Sequence, residues 1–570
     1  MKDKRNYNVF FNTHTVSGIV ISVGLFVCFF AGAFALFQTN INKWEANAKN
    51  KEKLTVDYEK TLTTIKKKGY VMDGRTFFIQ MMDNPLPFIM VISRPLRAEK
   101  NTNTQKKEQK NYSEAKVEAN GPISVKIDPD TYQIVDQYSA ESTEYLGTFL
   151  YHLHYFDQIP KVGLYISGLV SLFFLFAIIT GTIIHWKKIV SNFFTFRLKA
   201  SIKNLWSDAH VALGIIGLPF QFMYAVTGAL FGLVILVLLP STIVLFGGDQ
   251  GKLLEYIAPA YKTFDMANET HLERPNINQL IQNARKELHI DDTVLASVNV
   301  SNYNDKNAHI MAEFRVKKEG NFYDDAYITY RLRDGKIVEK KMPETHPYKS
   351  SVLHTVRKLH FAQFGGYLVK TIYFLLSLIT CFVILSGVML WLEARNNKMY
   401  EKKKKFNTAI GAIYLGASMG LFPAIAFFFC ITKIIPLDIE NRFGLMSNAF
   451  FLFWLAYTLY AFISKDFHKI NKHALILAGI LGIAIPFLNG LQSGLWFWTS
   501  LQSNYIDSFF IDISWLLLGV ISLITAFSVQ RLVSHKDKRK TKNSTSKNRN
   551  HQEVIDTPIL AMNESISTNN

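Results

Sequence analysis

Apolar and polar positions fall in long blocks along this chain. Eight apolar runs lie near residues 16–37, 161–186, 209–246, 366–392, 407–432, 444–464, 473–489 and 508–530, separated by polar stretches. Runs of roughly 20 residues match the span of a bilayer as α-helix, so each predicts a membrane-crossing helix. The third is long enough to tilt or run past the bilayer, and Pro219 predicts a kink in it. Two polar stretches carry shorter periods. In the first, a Lys-rich helix is predicted over 44–68, strands over 75–95 and a mobile loop over 100–120, then strand, Asp-Pro turn and strand over 121–136. In the second, Ile277, Leu280, Ile281, Ala284 and Leu288 mark an amphipathic helix. Alternating strands begin at Val294, Ile310 and Ala326, and an Asp334-Gly335 turn leads to a short partner strand.

Charge orients this pattern. The chain carries a formal +18, which could suggest nucleic acid. The excess instead sits in short loops beside the spans: Lys187, Lys188, Arg197, Lys199 and Lys203; Arg395, Lys398 and Lys402 to Lys405; Lys465, Lys469 and Lys472. By the positive-inside rule these loops and both termini face the cytoplasm, and the two polar stretches lie outside. No nucleic-acid partner is expected; the bilayer is. The first apolar run is too long for a cleavable signal and reads as a retained anchor. Cys28, Cys381 and Cys430 all lie in apolar runs, as packing residues do.

The predicted fold class is an integral membrane, mainly α protein: a four-helix core from two tandem repeats, four further C-terminal transmembrane helices, and small α+β extracytoplasmic domains. The divisions are helix 1 in 1–37, a first outside domain in 38–160, helices 2 and 3 in 161–246, a second outside domain in 247–350, helix 4 in 351–395, helices 5–8 in 396–533 and a disordered cytoplasmic tail in 534–570.

The repeat is visible in the residues. In Phe11–Phe37 and in Trp206–Gly232 a His opens the apolar run, with Gly four and 18 residues later: His14, Gly18, Gly32 and His210, Gly214, Gly228. Eighteen residues is five helical turns, so all three positions share a face. The stretches at 153–186 and 359–392 also align, each beginning Leu-His-aromatic, with Gly181 and Gly387 standing 27 residues after His154 and His360. Twenty-seven residues is 7.5 turns, which puts His and Gly on opposite faces of a straight helix; Pro160 or Gly365-Gly366 is where it would break.

Sorted by depth, His14, His185 and His210 stand at the cytoplasmic ends of their helices, and His154 and His360 at the outer entrances. An up-down four-helix bundle with pseudo-two-fold symmetry brings His14 opposite His210 and His154 opposite His360. Two bis-imidazole sites, one at each membrane face, are the arrangement of a di-haem b-type cytochrome, with two haem b irons ligated by these four residues. His185, whose repeat partner is Trp391, could replace His14, cap that site or meet a haem propionate. His152 and His354 read as surface residues or propionate contacts. The glycines serve either a haem face or close helix packing. No HExxH, paired CxxC, P-loop or GxGxxG occurs, and the cytoplasmic loops are too short for a flavin or nicotinamide domain. Electrons must come from a separate donor, either quinol or a cytoplasmic reductase.

The span from His210 to Gly228, the span from Leu359 to Gly387 and the turn from Asp128 to Asp136 resemble the PepSY-associated transmembrane family of bacterial inner-membrane proteins, over roughly residues 10–395. The resemblance implies a four-helix di-haem core with PepSY-like periplasmic domains. It also implies an iron-regulated, ferric-siderophore-reductase-like activity that releases Fe(II) in the periplasm. Phe-Asn-Thr-His at His14 lacks the Arg that often precedes this His in the family, and helices 5–8 lie outside the resemblance. Competing expectations are a membrane-anchored PepSY binding or regulatory protein without redox activity, and a transporter.

Overall fold

The computed structural model describes residues 2–49, 55–95, 118–138, 145–189, 191, 202–257, 262–290, 294–315, 325–345, 348–395, 398–436 and 438–528. Most of the loop predicted over 100–120, and the tail predicted from 534, lie outside the described residues. Among the described residues, eight helices are long and apolar enough to cross a membrane, one in each predicted region, and the chain is a multi-pass membrane protein.

The first four crossing helices are α1 (Lys2–Ala35), α5 (Gly163–His185), α6 (Ile202–Gly232) and α11 (Gly366–Ala394). They close a ring in which α1 packs on α5 and α11, and α6 packs on the same two. Helices α1 and α6 are therefore diagonal. Gly168 and Gly232 let α5 and α6 touch backbone to backbone: a Cβ on Gly232 would stand 2.4 Å from the Gly168 Cα. One expectation is corrected here. The apolar run at 209–246 is two helices: α6 ends at Gly232, Leu233 leaves the helical region, and α7 (Val234–Phe246) follows. It meets α8 (Gln250–Ile257) at 104°. Hydropathy continues unbroken across Leu233, which hides the break. Pro219 sits inside α6 without ending it.

The other helices cluster beside α1. Helix α12 (Lys404–Ile434) is the most enclosed, packing against α13 (Arg442–Ser464) and α14 (Phe467–Ser493) and touching α1 and α11. The last crossing helix is α15 (Ile506–Ser528). One aromatic-rich core containing Phe34, Trp44, Phe149, Phe428, Phe429 and Trp515 joins this group to the ring.

The polar stretches do not stay separate. Strands β1 (Phe77–Asp83), β2 (Pro87–Ser93), β3 (Ile123–Ile127) and β4 (Ile134–Gln137) come from the first. From the second come β5 (Val294–Ser301), β6 (His309–Arg315), β7 (Asp325–Arg331) and β8 (Lys336–Lys341). They form one antiparallel eight-stranded sheet in the order β4-β3-β2-β1-β5-β6-β7-β8, joined where Phe77 pairs with Val300 and Ile79 with Val298. Alternate residues such as Ile79, Val91, Val298 and Ile328 face a common core under α3 (Tyr58–Lys67) and α9 (Ile277–Glu287). The Lys-rich helix predicted over 44–68 is divided: α2 (Gln38–Glu45) ends near Asn47, which has φ 50°, and α3 starts at Asp57, whose side chain accepts from the Lys60 N–H.

Candidate functional site: two histidine pairs

The breaks expected near Pro160 and Gly365 exist, and they set the site. Helix α4 (Leu146–His154) ends on His154 and helix α10 (Tyr348–His360) ends on His360. Positive φ at Phe156, Lys161, Ala362 and Gly366 turns the chain before α5 and α11 begin. Gly163 is required at the first turn, because a Cβ there would lie 1.8 Å from the Phe156 carbonyl oxygen. Each histidine thus rides on a short helix free of the phase of the following span.

The structure brings the four histidines together as two pairs. His14 and His210, on the diagonal helices α1 and α6, have ring centroids 6.2 Å apart. His154 and His360 have centroids 6.1 Å apart on the sheet side. Two imidazoles on opposite sides of one iron, each ~2 Å from the metal with the ring centre about 1 Å farther, stand roughly 6 Å apart. Both pairs have that spacing.

The hydrogen bonds fix which nitrogen is free. Nδ1 of His14 lies 2.9 Å from the Ala177 carbonyl, Nδ1 of His210 lies 2.9 Å from that of Val383, and Nδ1 of His154 lies 2.7 Å from that of Cys28. A carbonyl only accepts, so Nδ1 carries the proton and the Nε2 lone pair is left for a metal. His360 differs: its Nδ1 lies 2.8 Å from the Thr227 hydroxyl. That hydroxyl donates to the Met223 carbonyl, so it must accept from His360. All four rings are held in the ligating tautomer.

Glycine makes this possible. Ala177, Val383 and Cys28 each stand four residues before a glycine: Gly181, Gly387 and Gly32. In a helix the side chain at i covers the carbonyl at i−4. A Cβ on Gly181 would come 3.0 Å from His14 Cε1, on Gly387 3.1 Å from His210 Cε1, and on Gly32 2.7 Å from His154 Nδ1. These glycines admit the rings to the carbonyls. Gly32, on the same helix as His14, thus serves His154 of the other pair. Gly18 and Gly214, one turn beyond His14 and His210, face space with no atom within 4 Å of a built Cβ.

On the sheet side a cavity of about 310 Å³ is lined by His154, His360, Gly32, Gly228, Ser171 and Phe231, among others. Neither His154 nor His360 belongs to a crossing helix. Burial lowers both imidazoles below the ordinary histidine range, and with His154 alongside, His360 falls to about 3. Both therefore stay neutral, the form that ligates. Tyr224 donates to the His360 carbonyl at 2.8 Å. Beside the sheet-side pair, Phe29 contacts Phe174, Phe220 and Tyr224, with centroids 5.5–6.2 Å apart, and Tyr224 lies 5.0 Å from the His360 ring.

The other histidines are placed as follows. His185 ends α5 within electrostatic reach of both His14 and His210. His152 Nδ1 lies 2.9 Å from Asp157, and His354 Nε2 lies 3.4 Å from Asp325, which also meets Lys341 at 2.7 Å. Burial alone would raise the Asp325 carboxyl; the His354 and Lys341 partners hold it well below the usual carboxylate range. Among the described residues no group of three or more His, Cys, Asp or Glu converges to chelate a bare metal ion. Paired imidazoles suit an iron whose other ligands come from a macrocycle.

The sequence reading missed Thr227, although it precedes Gly228 in the repeat. The first copy has Ala31 at that position, so symmetry did not mark it.

Fold and site together define a helical multi-pass membrane protein with two imidazole pairs stacked along one bundle. The family model for the PepSY-associated transmembrane region matches residues 11–394, and the chain belongs to that family. No curated protein matches the chain. The matched region ends with α11, so α12 to α15 lie beyond it.

Proposed function

We propose that this protein is a di-haem b-type electron carrier that passes electrons across the bacterial inner membrane and reduces ferric siderophores in the periplasm. The observation that supports it is the pair of imidazole sites, each about 6 Å across, with every Nδ1 committed to the protein. His14 and His210 would hold one haem, and His154 and His360 the other. Bound haem would supply a one-electron couple, and the imidazoles that hold it would tune its potential. His185 lies beside the first pair and would meet a propionate there.

The chain's own residues do the rest. His14 and Cys28, which mark the two levels on α1, are 14 residues or ~21 Å apart along the helix. The aromatic side chains of Phe29, Phe174, Phe220 and Tyr224 pack together toward the sheet-side end of that interval. Lys187, Arg395 and Lys402 to Lys405 lie at the His14/His210 end, which the positive-inside rule assigns to the cytoplasm. The sheet then lies in the periplasm beside the second pair. A quinol or a cytoplasmic reductase would give the electrons. One quinol gives two electrons and two protons, enough to take two Fe(III) to two Fe(II), and the hard-oxygen siderophore holds Fe(II) less strongly.

The test is spectroscopic. The purified protein, reduced and then mixed with a ferric hydroxamate, should show a b-type α band that bleaches as Fe(II) is trapped by a ferrous chelator. A band that persists without Fe(II) release would remove the substrate assignment.

A further inference from the structure

Helices α12 to α15 lie outside the repeat, and their contacts converge on one short element. Glu45, 1 % exposed at the end of α2, joins two parts of the protein. Its Oε1 accepts from Arg442 Nη1 of α13 at 2.7 Å, and its Oε2 accepts from the Leu146 N–H at 2.6 Å. Leu146 is the first residue of α4, the helix that ends on His154. Asn42, one turn earlier, accepts from the Thr148 N–H at 3.1 Å. Helix α2 thus satisfies the open amides of α4.

Helix α2 is in turn held by the C-terminal helices. Lys433 donates to the Trp44 carbonyl at 2.7 Å, and Trp44 Nε1 donates to Asp512 at 2.8 Å. Arg442 Nη2 also donates to the Thr432 carbonyl at 2.6 Å, tying α13 to α12. A second grip is direct. Phe149 of α4 sits among Phe428, Phe443, Phe450 and Phe451, with centroids 5.0–5.9 Å away. Gly147 allows the approach, since a Cβ there would be 2.3 Å from the Gln38 carbonyl oxygen.

Among the described residues, the counterpart helix α10 reaches the sheet, with His354 3.4 Å from Asp325, and shows no comparable contact with α12 to α15. It packs chiefly on α6, and its Tyr348, Val352 and Leu353 are exposed.

We propose that the C-terminal helices fix the His154 helix in place, with Glu45, Arg442 and Phe149 as positioning residues for the sheet-side histidine pair. The inference rests on the haem reading only for its spectroscopic arm. It gives α12 to α15 a role within the chain, and it makes the sheet-side site asymmetric: one ligand is clamped from two sides, and the other is held through Thr227 and Tyr224.

The experiment uses the full chain with its haems, as wild type, Phe149→Ala, Arg442→Gln and Arg442→Lys. Hydrogen exchange follows 146–154 against 348–360, and haem transfer to an apo-globin follows each site, identified by the spectra of His154→Ala and His14→Ala. Phe149→Ala and Arg442→Gln should speed exchange in 146–154 and haem loss from the sheet-side site about tenfold. The other haem and 348–360 should not change, and Arg442→Lys, which keeps the charge but not the fork that reaches Glu45 and Thr432 together, should fall between Arg442→Gln and wild type. Equal loss of both haems, or unchanged protection of 146–154, overturns the clamp. So does faster exchange with unchanged sheet-side haem. A haem-free wild type overturns the proposed function alone. Exchange then decides the clamp: acceleration confined to 146–154 supports it, and any other pattern overturns it.

Discussion

The Thr227 hydroxyl stands 2.8 Å from His360 Nδ1, in the place where the other three histidines meet a backbone carbonyl. A carbonyl cannot be mutated away, but a hydroxyl can. Thr227→Val keeps the shape and leaves the His360 N–H without its acceptor. Haem loss from the sheet-side site should rise roughly 10-fold or more, and its midpoint potential should climb as the imidazole becomes less electron-rich. Thr227→Ser should stay near wild type. A redox titration resolving the two haems measures this; equal behaviour of Val and Ser variants would show that the hydroxyl is idle.

The glycines divide into two kinds that mutation can separate. Gly181→Ala and Gly387→Ala place a methyl group 3.0–3.1 Å from the rings of His14 and His210. Each should weaken that site whatever ligand fills it. A Cβ at Gly18 meets no protein atom within 4 Å, so haem-free Gly18→Leu should melt within about 1 °C of wild type. It should still lose the haem at His14. Normal haem content in Gly18→Leu would return that glycine to plain helix packing.

The eight-stranded sheet region carries an acid-sensitive tie. Arg274 grips both oxygens of Glu59 at 2.7 and 2.8 Å, and Glu59 also accepts from the Ile277 N–H at 2.8 Å. Burial alone would raise the Glu59 carboxyl, but the Arg274 and Ile277 bonds bring it below the ordinary value. A carboxyl depressed in the folded state stabilises above its unfolded pKa, and that stability fades as pH falls through the folded one. Glu59→Gln should therefore cost about 1–2 kcal/mol near neutral pH, and the difference should shrink below about pH 4. Thermal melts of the two proteins across pH 3–8 check it; a gap that widens in acid contradicts the sign.

Much of the site was legible because repetition does not depend on packing. His14 and His210 share a spacing to glycine, and His154 and His360 share another, so symmetry pairs them before any contact is known. Other features had no local signal. The β1–β5 pairing that fuses the two polar regions joins residues more than 200 positions apart. The break at Leu233 sits in an unbroken apolar run. Thr227 faces Ala31 in the other copy, and Glu45 reads as an ordinary loop acid until Arg442 and Leu146 close on it. The glycines were visible, but their purpose was not, since it depends on a ring from a different helix reaching the carbonyl four residues back.

The most direct measurement is haem per chain in the purified full-length protein and two double variants. The account predicts about two b-type haems for wild type and about one for either His14→Ala/His210→Ala or His154→Ala/His360→Ala, with a different α band missing in each. A wild type without haem, or a full complement in either double variant, would contradict it.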